Sequence, residues 1–446
     1  MLRHYTIKFF KGSAVLVITA ALSYLLGLIR DRQFAHVFGA SPALDAYNAA
    51  FTIPDLILNV FVAGALTAAF IPLFTELSEG SKDEERTTFT NSVLNGSLLV
   101  VIICGTLAYF FAGPLSHLIV PGFDEATRAT FIHLMRILLL SPLIFAISNT
   151  LGSILVSKER FFWYGISASL YNAGIIAGTL LLAPKFGIFG VAYGSLIGAL
   201  MHLLPRLIAT ISAFRYQPRI VFDRMYRTFI RLMIPKMAGH PIEQLTFLGF
   251  TAIASTLGHG AIVTLNFARN FQSAPVNVIG ATLALTIFPV LSRAVAQRQQ
   301  ENFQQELWFT AKMIFVLTIL SGIVIYLIRY QLIAILLGGG KFGPSEIAAT
   351  ATVLGIFCLS IPTESVSHLL ARSFYALKNS LTPTLVSVGG LGFALGSGYY
   401  FSQSMGVKGL ALGFFVGSVV KIVLLGILLR KETRLKLPPP IPSESV

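Results

Sequence analysis

Charge is what this sequence has least of. Only 12% of its 446 residues are Asp, Glu, Lys or Arg, about half the ~25% that a soluble domain uses to face water. A water-soluble globular enzyme is excluded on that ground. Cysteine is scarce too: Cys104 and Cys358 are the two present, each inside an apolar run. They have no metal-ligand spacing and read as small core residues. Catalytic signatures are missing: there is no P-loop, no His-Glu-x-x-His and no nucleophile–base constellation. His4, His36, His117, His133, His202, His240, His259 and His368 are scattered without ligand spacing. Acidic residues number 19 against 33 Lys and Arg, a net charge of +14. The basic residues sit in short loops between apolar spans, so anionic lipid head groups rather than nucleic acid are the counter-charge.

What the sequence has is apolar length. It is 55% hydrophobic, with 36 Phe and 38 Gly and a mean hydropathy of +0.76. Taking ~20 residues per crossing, spans fall near 13–35, 46–75, 90–112, 127–150, 162–183 and 187–213. Six more follow near 230–256, 259–291, 308–329, 346–375, 383–402 and 407–430. Residues 1–12 read as an amphipathic lead-in, with Lys8 and Lys11 before the first span and no cleavage site after it. Lys and Arg concentrate in alternate loops, including Arg215, Arg219, Arg224 and Arg227. The positive-inside bias therefore predicts a multi-pass inner-membrane protein with both termini cytoplasmic.

The spans repeat. Gly187, Gly190, Gly194 and Gly198 open the sixth, and Gly406, Gly409, Gly413 and Gly417 open the twelfth with the same spacing. Pro72 pairs with Pro289 and Lys158 with Lys378 at almost the same separation. An even number of spans per half puts the pseudo-two-fold axis along the membrane normal, the parallel-repeat arrangement of rocking transporters. The expected fold is an all-α integral membrane protein of about twelve transmembrane helices in two six-helix lobes. Its expected parts are an N-terminal lobe over 1–213, a basic cytoplasmic connection over 214–229, a C-terminal lobe over 230–430 and a disordered cytoplasmic tail over 431–446.

Ionisable residues inside spans are costly and mark a bundle interior or a water-filled path. The first half offers Arg30, Asp31, Asp45 and Asp55; the second offers Arg269, beside Asn270 and Gln272. Arg206, Arg231, Lys236, Glu243, Glu364 and Arg372 lie nearer span ends, where snorkelling or interfacial pairing accounts for them. Guanidinium groups in a cavity suit a phosphate-bearing substrate. Pro54, Pro72, Pro275 and Pro289 are expected to bend the second and eighth spans around such a cavity. With no nucleotide site, the driving force is an ion gradient, the membrane potential or the substrate gradient. No cofactor is expected beyond a coupling ion of unassigned identity.

Several stretches carry a family resemblance. Gly27-Leu28-Ile29-Arg30-Asp31, Phe38-Gly39-Ala40-Ser41 and Asp45-Ala46-Tyr47 resemble the opening of the MurJ (MviN) lipid II flippases. Phe51-Thr52-Ile53-Pro54-Asp55-Leu56, Ala63-Gly64-Ala65 and Ala69-Phe70-Ile71-Pro72 are similar as well. So is Arg372-Ser373-Phe374-Tyr375-Ala376-Leu377-Lys378 with Pro383 after it. The resemblance implies a member of the multidrug/oligosaccharidyl-lipid/polysaccharide exporter superfamily, a transporter and no enzyme. It would move the undecaprenyl-pyrophosphate-linked peptidoglycan precursor from the cytoplasmic to the outer leaflet by alternating access. Membrane lipids and cell-wall synthesis enzymes are the other partners it implies. By motif position, Arg30 and Asp45 match the family's cavity charges. The sequence departs from the pattern at Tyr24, around Leu58 and Asn59, at Ala63, and at Asn270, which takes an Arg position with Arg269 adjacent.

Other readings use the same residues. A flippase for a different polyprenyl-linked oligosaccharide shares every feature except the opening motif. A cation-coupled multidrug or metabolite exporter would use an acidic pocket such as Asp31, Asp45 and Asp55 provide. A non-transporting scaffold for cell-wall enzymes leaves Arg and Asp inside spans as an unexplained cost.

Overall fold

The computed structural model describes residues 2–60, 64–80, 83–211, 214–239 and 241–436. Pro438-Pro439-Pro440, His240 and Ala63 lie outside them. The first part of the chain forms α1 (Leu2–Phe38), α2 (Pro42–Ala50), α3 (Thr52–Leu58), α4 (Gly64–Glu79), α5 (Asp83–Phe110), α6 (Ala112–Ile119), α7 (Glu125–Leu138), α8 (Ser141–Ser157), α9 (Phe161–Leu181), α10 (Ala183–Phe186) and α11 (Ile188–Thr210). It continues through α12 (Arg224–Gly239), α13 (Pro241–Ser255), α14 (Ala261–Pro275), a π-helical segment (Val276–Ala281), α15 (Thr282–Ala296), α16 (Gln300–Leu336), α17 (Pro344–Phe357), α18 (Ser360–Ala376), α19 (Leu381–Met405) and α20 (Val407–Lys436). In lipid each backbone N–H and C=O must be paired within its own segment, so helix is the form an open chain can take.

Each expected span coincides with a helix or a broken helix. Seven helical stretches among the described residues are long and apolar enough to cross a membrane, and α17 with α18 adds an eighth, bent by 44°. The bend follows from the sequence, since Pro362 stands in the first turn of α18, where it cannot donate back into α17. The lead-in is continuous with the first span in α1. At the other end α20 runs to Lys436, so residues 431–436 are helical rather than part of a disordered tail.

The prolines act in two ways. Pro54 breaks the second span: its ring would clash with the carbonyl four residues back, that of Ala50, which is where α2 ends. Pro275 has no N–H for the carbonyl of Phe271, and the register slips into the π segment Val276–Ala281 directly after it. Pro72 and Pro289 sit inside α4 and α15 without ending them.

Packing divides the chain into two compact units, Met1–Gly260 with Leu336–Phe342, and Ala261–Ile335 with Gly343–Val446. The repeat had put the division at 213–230. The difference arises because α12 and α13 pack on α3, α4, α5 and α6, with Tyr226 and Phe229 buried in an aromatic cluster with Phe70, Phe74 and Phe89. Residues 224–229 of the expected connection are thus the first turns of α12. The preceding extended segment is strapped to α5. Asn91 donates to Arg215 O and accepts from the Gln217 N–H, Asn95 donates to Gln217 O, and Ser92 Oγ accepts from the Val221 N–H.

The glycine repeat has a geometric counterpart inside each unit. Gly187 and Gly406 both adopt left-handed backbone, φ +58° and +60°, and let the chain reverse into α11 and α20. In the first unit a Cβ on Gly178 would lie 2.2 Å from Gly194 Cα, and one on Gly174 2.3 Å from Gly198 Cα. In the second, a Cβ on Gly413 would lie 2.4 Å from Gly398 Cα. The loop pair also repeats, shifted by one residue from the sequence match. Glu159 (φ +56°) and Lys378 (φ +57°) are the left-handed residues, and each is followed by the same closing bond, Arg160 N to Leu155 O and Asn379 N to Phe374 O. Lys378 therefore corresponds to Glu159, at the spacing that relates Gly187 to Gly406, and Lys158 is not its partner.

Gly178→Val and Gly413→Val are expected to destabilise by roughly 1–3 kcal/mol or more, because backbone lies where the side chain must go. Gly392→Ala has open space around it and is expected to be neutral. Thermal unfolding of the purified variants checks this; a Gly413→Val protein as stable as Gly392→Ala contradicts the seam.

Candidate functional site

In the first unit the polar site is built where α1, α2, α9 and α11 meet. Arg30 and Asp31 are neighbours on α1. Arg30 Nε and Nη2 both donate to Asp31 Oδ1, at 3.0 and 2.8 Å. Nη1 donates to Asn172 Oδ1 on α9 at 3.0 Å, and Asn172 Nδ2 in turn donates to Ser23 O at 3.1 Å. The guanidinium carbon stands 5.8 Å from the Phe34 ring centroid, within cation–π range. A guanidinium has five N–H donors; these three bonds use three and leave two, one on each terminal nitrogen. The Arg30 side chain keeps 25% of its surface exposed while Asp31 keeps 9%. The group is thus fixed, charge-compensated and still able to take one more acceptor group in bidentate fashion. Beside it, Tyr47 hydroxyl is 2.8 Å from Ser195 Oγ on α11, and its ring packs edge-on against Phe34 and Phe51.

Asp45 does something different. It stands in the first turn of α2, after the Ser41 cap and Pro42, where the helix dipole favours a carboxylate. It is 1% exposed, and Oδ2 accepts the backbone N–H of Gly260 in a short hydrogen bond. Gly260 has φ +78°, and a Cβ there would lie 2.6 Å from Ala40 O. Asp45 ties the 258–260 turn to the start of α2, so the structure gives this expected cavity charge a structural bond. Asp55 is exposed on α3.

In the second unit Arg269 is half-buried and Asn270 exposed on α14, as their 100° separation around the helix requires. Glu364 was expected at a span end with an interfacial role; here its side chain is 14% exposed and faces Lys421 Nζ of α20 at 3.4 Å and His368 Nε2 at 3.9 Å. Gln272 donates to Ser360 Oγ at 3.1 Å, and Thr363 and Ser418 hydroxyls are 2.6 Å apart. Glu364, His368 and Lys421 are the residues the sequence reading missed. Glu364 and His368 are spaced i, i+4 on one helix face, and Lys421 is a charge inside the expected twelfth span; the sequence carried both signals.

Arg206 departs most from expectation. Placed near a span end by sequence, it is 4% exposed. Its N–H groups donate to Ser148 O, Asn149 Oδ1, Ser167 Oγ and Tyr164 O at 3.0–3.3 Å. The guanidinium stacks 4.7 Å from the Tyr164 centroid. It clamps α8, α9 and α11 through neutral acceptors. No carboxylate meets it among the described residues.

Comparison with known proteins places this architecture. Residues 34–441 match the family model described as lipid II flippase MurJ. The chain is 27% identical over 427 residues to a probable lipid II flippase MurJ of Aquifex aeolicus, covering 93% of this chain and 82% of that protein. It is 28% identical to the lipid II flippase MurJ of Thermosipho africanus, covering 93% and 84%. Among solved structures, a lipid II flippase MurJ in an inward closed conformation superposes with a TM-score of 0.81 at 26% identity, over 95% of this chain and 90% of that one. An inward-facing multidrug resistance MATE transporter of the MOP superfamily superposes at 0.79 with 15% identity, over 96% and 99%, a likeness of fold. The motifs at Arg30-Asp31 and Asp45, the two-unit helical fold and the match across nearly the whole sequence agree: the chain belongs to the MurJ family of lipid II flippases.

Proposed function

We propose that this protein moves lipid II, the undecaprenyl-pyrophosphate-linked peptidoglycan precursor, from the cytoplasmic to the outer leaflet of a bacterial inner membrane by alternating access, with both termini cytoplasmic. The observation that carries the reading is the state of Arg30. Asp31 and Asn172 hold the guanidinium in place, and one N–H donor remains on each terminal nitrogen. These two donors match the paired oxygens of a phosphate. Arg269 of α14 supplies a cation in the second unit, where Glu364 of α18 faces Lys421 of α20. The same carboxylate, with His368 at 3.9 Å, is where a coupling proton or cation would act, since carboxylate–lysine contacts respond to either. Cell-wall synthesis enzymes are the partners that would supply and consume such a substrate.

The test is rescue of a strain depleted of its own lipid II flippase, with the precursor assayed at the outer leaflet. The wild-type chain is expected to rescue, Arg30→Ala to fail, and Arg269→Ala to weaken rescue, all three being present in the membrane at similar levels. Undiminished precursor exposure in the Arg30→Ala, Arg269→Ala double variant would overturn the cationic-site reading.

Asp45 separates structure from transport. Asp45→Ala leaves the Gly260 N–H without its acceptor and is expected to cost roughly 1–3 kcal/mol of stability. Asp45→Asn, which keeps an acceptor oxygen, should retain most stability and activity. Thermal unfolding and rescue measured on both variants check this. Equal loss of rescue with unchanged stability would return Asp45 to the substrate path.

A further inference from the structure

The second unit carries a groove that the transport reading does not use. It lies between α16, α18 and α20 and encloses about 490 Å³, the size of a small-molecule site. Its walls are apolar: Leu307, Ala311, Val366, Leu370 and Leu429 line it and are each less than 9% exposed. Gly426 lines it too, and a Cβ there would meet no atom within 4 Å; the missing side chain gives the groove depth. Polarity is confined to one end, at Gln304, Arg430 and Thr433. Thr433 hydroxyl is spent on Leu429 O at 2.7 Å. Arg430 lies exposed over Trp308, 5.7 Å from its ring centroid, with Lys431 exposed beside it. No carboxylate pairs with Arg430 among the described residues.

We propose that this groove binds one anionic phospholipid, an acyl chain in the apolar trough and the phosphate at Arg430. Three features select that occupant. From Ile422 to Thr433 the α20 wall rises ~16 Å, close to half of the ~30 Å hydrocarbon thickness, so the trough is one leaflet deep. A planar guanidinium with free donors pairs with a phosphate, and Trp at the same level is an interfacial anchor. The uncompensated Arg430 and Lys431 favour an anionic over a zwitterionic head group. A soluble anion would leave the trough without a purpose. The proposal does not depend on the substrate the protein transports.

Trp163 and Trp308 are the two tryptophans of the chain, so Trp163→Phe makes Trp308 a single reporter on the groove. The full chain is reconstituted in phosphatidylcholine vesicles containing a small fraction of phosphatidylglycerol with brominated acyl chains. Quenching of Trp308, normalised to each variant's unquenched emission, is expected to exceed several-fold that from the same fraction of brominated phosphatidylcholine. Gly426→Phe, which fills the trough, and Arg430→Gln, which removes the head-group charge, should each bring it down to the phosphatidylcholine level. If Gly426→Phe fails to insert, Gly426→Leu takes its place. Equal quenching by the two brominated lipids overturns the proposal, as does an excess that survives both variants. An excess abolished by millimolar inorganic phosphate would assign an anion pocket without an acyl chain, and overturns it too.

Discussion

The arrangement depends on backbone meeting backbone at two glycine seams. Between α9 and α11, Gly174 and Gly178 face Gly198 and Gly194. Between α19 and α20, Gly398 and Ala394 face Gly413 and Gly417. With no hydrophobic driving force between helices in lipid, such close approach is the source of tight packing. It also sets chemistry in place. Asn172 lies on α9 beside Gly174, and Ser195 follows Gly194 on α11. Through them the first seam fixes the partners of Arg30 and Tyr47. In the second unit Ser418 and Lys421 follow Gly417 along α20, and they meet Thr363 and Glu364 of α18.

The charges buried by this packing fall into kinds that the sequence does not distinguish. Arg206 of α11 is consumed by neutral acceptors on α8 and α9 and serves as a clamp. Asp45 accepts the backbone N–H of Gly260. Arg30 is anchored yet incompletely consumed, which is the property a binding group needs: its position is fixed before the substrate arrives, so little ordering remains to oppose binding. Glu364 and Lys421 form a mixed-sign pair between α18 and α20.

The helices were legible in the sequence because span length and apolar content are set by the bilayer itself, and each expected span coincides with a helical segment. The repeat was legible too, since glycine spacing is a direct imprint of the seam. Arg30 and Asp31 were found as a pair because they are adjacent in the chain. What stayed hidden depends on contacts across the chain. The assignment of α12 and α13 to the first unit rests on Tyr226 and Phe229 entering an aromatic cluster. The loop correspondence of Lys378 with Glu159 rests on a backbone angle. Lys421 stands out as a charge inside the twelfth span, but its pairing with Glu364 does not, because the two are far apart in sequence. Pro72 and Pro289 look like Pro54 and Pro275 in sequence; whether a helix breaks depends on neighbours that re-satisfy the freed carbonyl.

In the proposed function Asn172, placed by the glycine seam, holds Arg30 ready for a phosphate. Binding of lipid II to the purified chain and to Asn172→Leu, with unfolding temperatures measured alongside, tests this most directly. Losing one hydrogen bond to a charged group costs ~1.5–3 kcal/mol, so the account predicts affinity weakened about tenfold or more in a protein that remains folded. Unchanged affinity in a folded Asn172→Leu protein would contradict it.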